Sequence, residues 1–190
     1  MSLPNKLTLF RVVLIPVMVI IYLLRNYLAG STFWLMGAIF VIASFTDFLD
    51  GYIARKHNIV TTLGKFMDPL ADKLLVMTAL LILADLYASG MTQMWMPFWV
   101  PLIVLSRELI VTSIRLIAVG DGKVIAASKL GKYKTASTMI AISVYLFIIP
   151  FNILAFNIIA WVLMGVAVIL TIVSGIDYFL KNKNIIFQSK

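Results

Sequence analysis

The chain has 190 residues, of which 62% are hydrophobic and only 13% charged, with a formal net charge of +8. A soluble domain is about 45–50% apolar and about 25% charged, so an ordinary soluble globule is excluded, as is a disordered chain, which needs low hydrophobicity. Cysteine is absent, which also excludes disulfides, thiol chemistry and cysteine-ligated metals.

A helix needs about 20 mostly apolar residues to cross about 30 Å of hydrocarbon. Six stretches have that character, residues 12–29, 32–54, 69–89, 97–118, 134–150 and 156–179. Turn formers separate them at Gly30-Ser31, Asp68-Pro69, Ser89-Gly90, Gly120-Asp121-Gly122 and Pro150-Phe151-Asn152. Runs such as Val12-Val13-Leu14-Ile15 do not alternate as the strands of a barrel must. The expected fold class is therefore all-α: a polytopic membrane protein with six transmembrane helices, forming one domain over residues 1–190. The mixed segment from Pro4 to Arg11 is expected to lie along the membrane surface as a short interfacial helix.

Basic residues set the orientation. Lys6 and Arg11, then Arg55, Lys56 and Lys65, then Arg115, Lys123, Lys129, Lys132 and Lys134, then Lys181, Lys183 and Lys190 all fall on one side. The opposite loops hold only Arg25. Both termini are accordingly expected in the cytoplasm, and the positive charge is read as loop charge, not as a nucleic-acid surface. Trp34, Trp95, Trp99 and Trp161 are expected as interface anchors at the outer side. Gly165, Ala167, Ser174 and Gly175 are expected to allow close packing of the last helix.

The chain has eight acids, and four of them fall within 26 residues, Asp47 and Asp50 at the end of the second stretch and Asp68 and Asp72 at the start of the third. Carboxylates at membrane depth are costly unless paired or metal-bound. A divalent ion reverses that penalty. Asp47 and Asp50 are spaced i, i+3, and Asp68 and Asp72 are spaced i, i+4, so each pair shares a helix face. On antiparallel neighbours all four can converge. Oxygen-only ligation suits Mg²⁺ or Mn²⁺, and four carboxylates suggest two ions. Asp68, followed by Pro69, is expected to cap the third helix. The competing reading pairs the acids with Arg55, Lys56, Lys65 and Lys73 as a solvated loop.

The stretch reads Asp47-x-x-Asp50-Gly51-x-x-Ala54-Arg55, then Gly64-x-x-x-Asp68-x-x-x-Asp72. It resembles the full signature of the CDP-alcohol phosphatidyltransferase family. The layout of spans and the Pro4-Asn5-Lys6-Leu7-Thr8 segment carry the resemblance along nearly the whole chain. It implies attack by an alcohol on the β-phosphorus of a CDP-linked lipid such as CDP-diacylglycerol, with CMP leaving. It further implies that Asp47, Asp50, Asp68 and Asp72 hold metal, that Asp72 is the general base, and that Gly51, Ala54, Arg55, Thr61 and Gly64 sit at the CDP moiety. Asn5 and Thr8 would close over the nucleotide, and the family also implies a homodimer.

A second polar island holds Arg107, Glu108, Thr112 and Arg115, with Lys132 and Lys134 following in a Gly-Lys-x-Lys-Thr run. Glu108 and Arg115, seven apart, differ by about 20° around a helix. Arg107, Arg115, Lys132 and Lys134 are candidates for an anionic acceptor's phosphate, with Glu108 as a purely structural neutraliser of Arg107 the alternative. These segments look similar to the phosphatidylglycerophosphate synthase branch of the family, which implies sn-glycerol 3-phosphate as acceptor. Relatives using phosphatidylglycerol or an inositol phosphate share the acidic signature, so that choice stays open here. A cation transporter would need polar outer halves on several spans, and those halves are apolar.

Overall fold

The structure is a computed structural model. It describes residues 3–187 apart from 29, 58–61, 121–124, 126 and 127, and leaves undescribed the side chains of 3–5, 48, 51, 52, 54–57, 62–66, 68, 69 and 184–187. The described backbone is helical apart from short turns: α1 (Leu3–Leu23), α2 (Arg25–Leu28), α3 (Ser31–His57), α4 (Thr62–Ala88), α5 (Trp99–Gly120), α6 (Lys129–Ile148), a 3₁₀ turn (Ile149–Phe151) and α7 (Leu154–Phe187). Helices satisfy their own backbone polar groups, which a chain this apolar must do away from water.

The six long helices fall where the six apolar stretches lie. Among the described residues three segments, Lys6–Leu23, Lys129–Phe151 and Leu154–Lys183, are long and apolar enough to cross a membrane. The apolar part of α3 is shorter and stops at Asp47, and α5 is interrupted by Arg107, Glu108 and Arg115. Polar side chains thus shorten the apolar run on these helices.

Two expectations are corrected. No break separates an interfacial helix from the first span, since Pro4 to Arg11 form the opening turns of α1. Thr8 and Arg11 turn inward and are buried, because acids on α3 receive them, while Lys6 is exposed. Nor does Asp68 cap a helix, because α4 begins at Thr62 and Asp68-Pro69 falls inside it. Proline deletes one backbone bond without ending a helix whose flanks are packed; α1 likewise runs through Pro16.

The helices form one bundle. α1 packs along α3 and α4, α6 along α7 and α3, and α5 along α7. The core joins Met18, Met36, Phe40, Leu75, Leu80, Ile142, Tyr145 and Met164, with Ala43, Ala79, Ala141, Ala160 and Ala167 at the crossings. Gly37 shows how tight the α3–α6 crossing is, for a Cβ there would stand 3.0 Å from the Phe147 ring. Ala167 and Ser174 are buried as expected, whereas a Cβ on Gly165 would meet nothing within 4 Å. Two residues past the end of α4, Gly90 takes a φ of 72°, which is open to glycine. Exposed apolar rows such as Leu102, Leu109 and Leu116 on α5, and Ile158, Val162, Ile169 and Ile176 on α7, face outward.

The bundle's two ends differ. At one end Trp34 stacks near Phe147 and Phe151, at 5.5 and 5.7 Å, and Trp95 meets Trp99 at 5.2 Å. There Tyr22 on α1 also donates to Asp85 on α4. The other end carries the carboxylates.

Candidate active site

α3 presents Asp47 and Asp50 one turn apart toward α1. Arg11 reaches both. Its Nη1 stands 2.6 Å from Asp47 Oδ1, and its Nη2 donates to Asp50 Oδ2 at 2.5 Å. The Arg11 side chain is fully enclosed and that of Asp50 only 5% exposed, while Asp47 keeps 34%. Thr8, one turn before Arg11, donates to Asp50 Oδ2 at 3.5 Å. A guanidinium fork matches two carboxylates geometrically where a lysine cannot. Sequence reading counted Arg11 only as a loop charge. The signal was available, in that Thr8 and Arg11 share a helix face ahead of an apolar run.

Across from this pair α4 carries Asp72. Its Oδ1 is enclosed without a hydrogen-bond partner, and Asp47, Arg11, Glu108 and Lys134 lie within its electrostatic reach. Asp72 borders a cavity of about 30 Å³ shared with Lys73, Val76, Met77, Val104, Glu108, Lys134, Thr135 and Thr138. That volume admits a hydroxyl-sized group. Lys73 donates to Thr112 on α5, whereas the competing reading placed it in a solvated ion-pair loop.

The far wall of the cavity belongs to the second island. Glu108 Oε1 accepts from Arg107 Nη1 at 2.9 Å and from Lys134 Nζ at 2.5 Å. Lys134 is nearly fully buried, held at the start of α6 by a helix whose N-cap Ser128 accepts from Gly131 N–H. Arg115 is not brought into this cluster. Its Nε donates to Tyr178 Oη at 3.1 Å on α7, and Lys132 is exposed.

Of the other predicted residues, Asn5, Gly51, Ala54, Arg55, Gly64 and Asp68 have helical backbone but side chains outside the described set, and Thr61 lies outside the described residues altogether. Among the described residues, which do not include the Asp68 side chain, no three acids gather as a ready metal cluster. The donor set still suits a hard divalent cation: carboxylate oxygens from facing helices, no sulfur, and a buried Asp72 oxygen lacking a partner.

Residues 1–173 match the family described as CDP-alcohol phosphatidyltransferase. The chain is 46% identical over 191 residues to the CDP-diacylglycerol–glycerol-3-phosphate 3-phosphatidyltransferase of Bacillus subtilis, covering 95% of each chain. Proteins of the same name from Rickettsia typhi and Haemophilus influenzae are 37% and 38% identical, covering 94% and 93% of this chain and 95% and 91% of their own. The chain belongs to the CDP-alcohol phosphatidyltransferase family.

Proposed function

We propose that this chain transfers the phosphatidyl group of CDP-diacylglycerol to sn-glycerol 3-phosphate, yielding phosphatidylglycerophosphate and CMP. The names of the relatives support the reaction. The observation that carries it is the cavity that Asp72 shares with Glu108 and Lys134, with Asp47 of α3 in electrostatic reach of Asp72 and Arg107 paired to Glu108. The acids suit a pyrophosphate and the cations a phosphorylated alcohol.

Asp47, Asp50, Asp68 and Asp72 would hold the divalent ions, two Mg²⁺ or Mn²⁺, which when bound supply the charge that neutralises the pyrophosphate and the departing CMP. Asn5, Thr8, Gly51, Ala54, Arg55, Thr61 and Gly64 flank the nucleotide end. Arg107 and Lys134 hold the acceptor's phosphate, with Arg115 and Lys132 along its approach. Asp72 Oδ1 takes the proton of the acceptor hydroxyl as the new O–P bond forms. The bond from the β-phosphorus to the bridging oxygen breaks, and CMP leaves with that oxygen. Glu108 Oε1 accepts from both cations and holds them side by side. The apolar helices and basic-residue distribution support six spans, with both termini and the site at the cytoplasmic edge, in a homodimer.

The test is CMP release from CDP-diacylglycerol by purified protein offered glycerol 3-phosphate, phosphatidylglycerol or inositol phosphate in competition. Glycerol 3-phosphate is expected to be consumed, with activity abolished by a chelator and restored by Mg²⁺ or Mn²⁺. Preference for either other alcohol would overturn the acceptor assignment. Lys134→Ala is expected to raise the KM for glycerol 3-phosphate about 10–100-fold, the worth of one charge-assisted hydrogen bond, while the KM for CDP-diacylglycerol stays within about twofold. Equal rises in both would remove Lys134 from acceptor binding.

A further inference from the structure

Arg107 crosses from α5 toward α6 and α7, and it does so through a space left by a missing side chain. A Cβ on Gly175 of α7 would lie 3.0 Å from Arg107 Cγ and 3.9 Å from its Cβ. Contacts of 3.0 Å force a shift, and the atom met is in the stem, not at the mobile tip. The head has little freedom to compensate. Its Nη1 is bonded to Glu108, its side chain is only 11% exposed, and a Cβ on Gly131 of α6 would lie 3.5 Å from its Nη2. The stem thus passes Gly175 of α7, and the guanidinium ends beside Gly131 of α6.

Glycine within a helix is costly relative to alanine, and the same helix offers a comparison. Gly165, also on α7, borders open space, so its absent side chain clears nothing. We infer that Gly175 is a positioning residue for acceptor recognition, its lack of a side chain being what lets the Arg107 stem lie against α7 and deliver the guanidinium to Glu108 and the acceptor's phosphate. The inference rests on the proposed reading of Arg107 as a phosphate ligand.

Four variants test it: Gly175→Ala, Gly165→Ala, Arg107→Ala and the double variant of Arg107→Ala with Gly175→Ala. Displacements of about 1 Å can cost about 10²-fold in a positioned site, so a shift of a few tenths of an ångström in Gly175→Ala is expected to raise the acceptor KM roughly tenfold. The KM for CDP-diacylglycerol should stay within about twofold. Gly165→Ala should leave both unchanged. In the Arg107→Ala background, Ala at 175 should add no further rise, because its effect runs only through Arg107. A wild-type acceptor KM in Gly175→Ala, or an equal rise with and without Arg107, overturns the inference.

Thermal midpoints separate its failure from failure of the acceptor reading. If Arg107→Ala leaves the acceptor KM untouched, the phosphate role is lost. The steric relation then still predicts that Ala at 175 lowers the midpoint beside Arg107 and raises it once Arg107 is removed. Equal lowering in both backgrounds sinks that relation too.

Discussion

Asp72→Asn protein is expected to release CMP about 10²–10⁴-fold more slowly at saturating substrates, the range a positioned general base contributes. Asparagine keeps the shape and one oxygen at this point of α4 but cannot take a proton. The structure gives the expectation its geometry. Asp72 Oδ1 is enclosed yet has no hydrogen-bond partner, an arrangement that buried polar atoms normally avoid. It borders a space of about 30 Å³, and a hydroxyl placed there both satisfies that oxygen and becomes the proton donor. Because Asp72 is also a proposed metal ligand, Mn²⁺ affinity should be measured on the same variant. Lost turnover with retained affinity isolates the base role. Wild-type turnover by folded Asp72→Asn protein would overturn it.

The sequence showed what depends on angle around one helix and hid what depends on height or on a distant partner. Asp47 and Asp50 share a face because three residues make most of one turn, and Arg11 does meet both on that face. Glu108 and Arg115 also share a face, but seven residues raise Arg115 about 10 Å along the axis. There it meets Tyr178, 63 positions away. Angular coincidence was readable; the axial offset decides the neighbour. Pro69 read as a helix start because proline favours first turns, yet α4 begins at Thr62. Gly175 read as a packing residue, and only coordinates reveal that what packs against it is the stem of Arg107.

Arg11 is the clearest case of a residue whose role lay in a remote partner, and its substitution carries the second large effect. The Arg11 guanidinium joins α1 to two carboxylates on α3 and, with Asp50, is withdrawn from water. Removing one member of a buried ion pair typically costs about 3–5 kcal/mol, because the remaining charge loses its counter-ion inside the fold. Arg11→Met is therefore expected to lower thermal stability strongly, Asp50 bearing most of the loss since Asp47 is partly solvated. Arg11→Lys separates structure from function. It keeps the positive charge but presents one ammonium where a fork is needed, so the two carboxylates lose their common orientation while the bundle persists. Partners that orient ligand side chains are typically worth about 10–100-fold in metal affinity. Mn²⁺ titration of Arg11→Lys protein, with free ion followed by electron paramagnetic resonance, should show weakening in that range. Tighter Mn²⁺ binding would instead mark Arg11 as a competitor that the ion displaces, and unchanged binding would reduce it to a strut between α1 and α3.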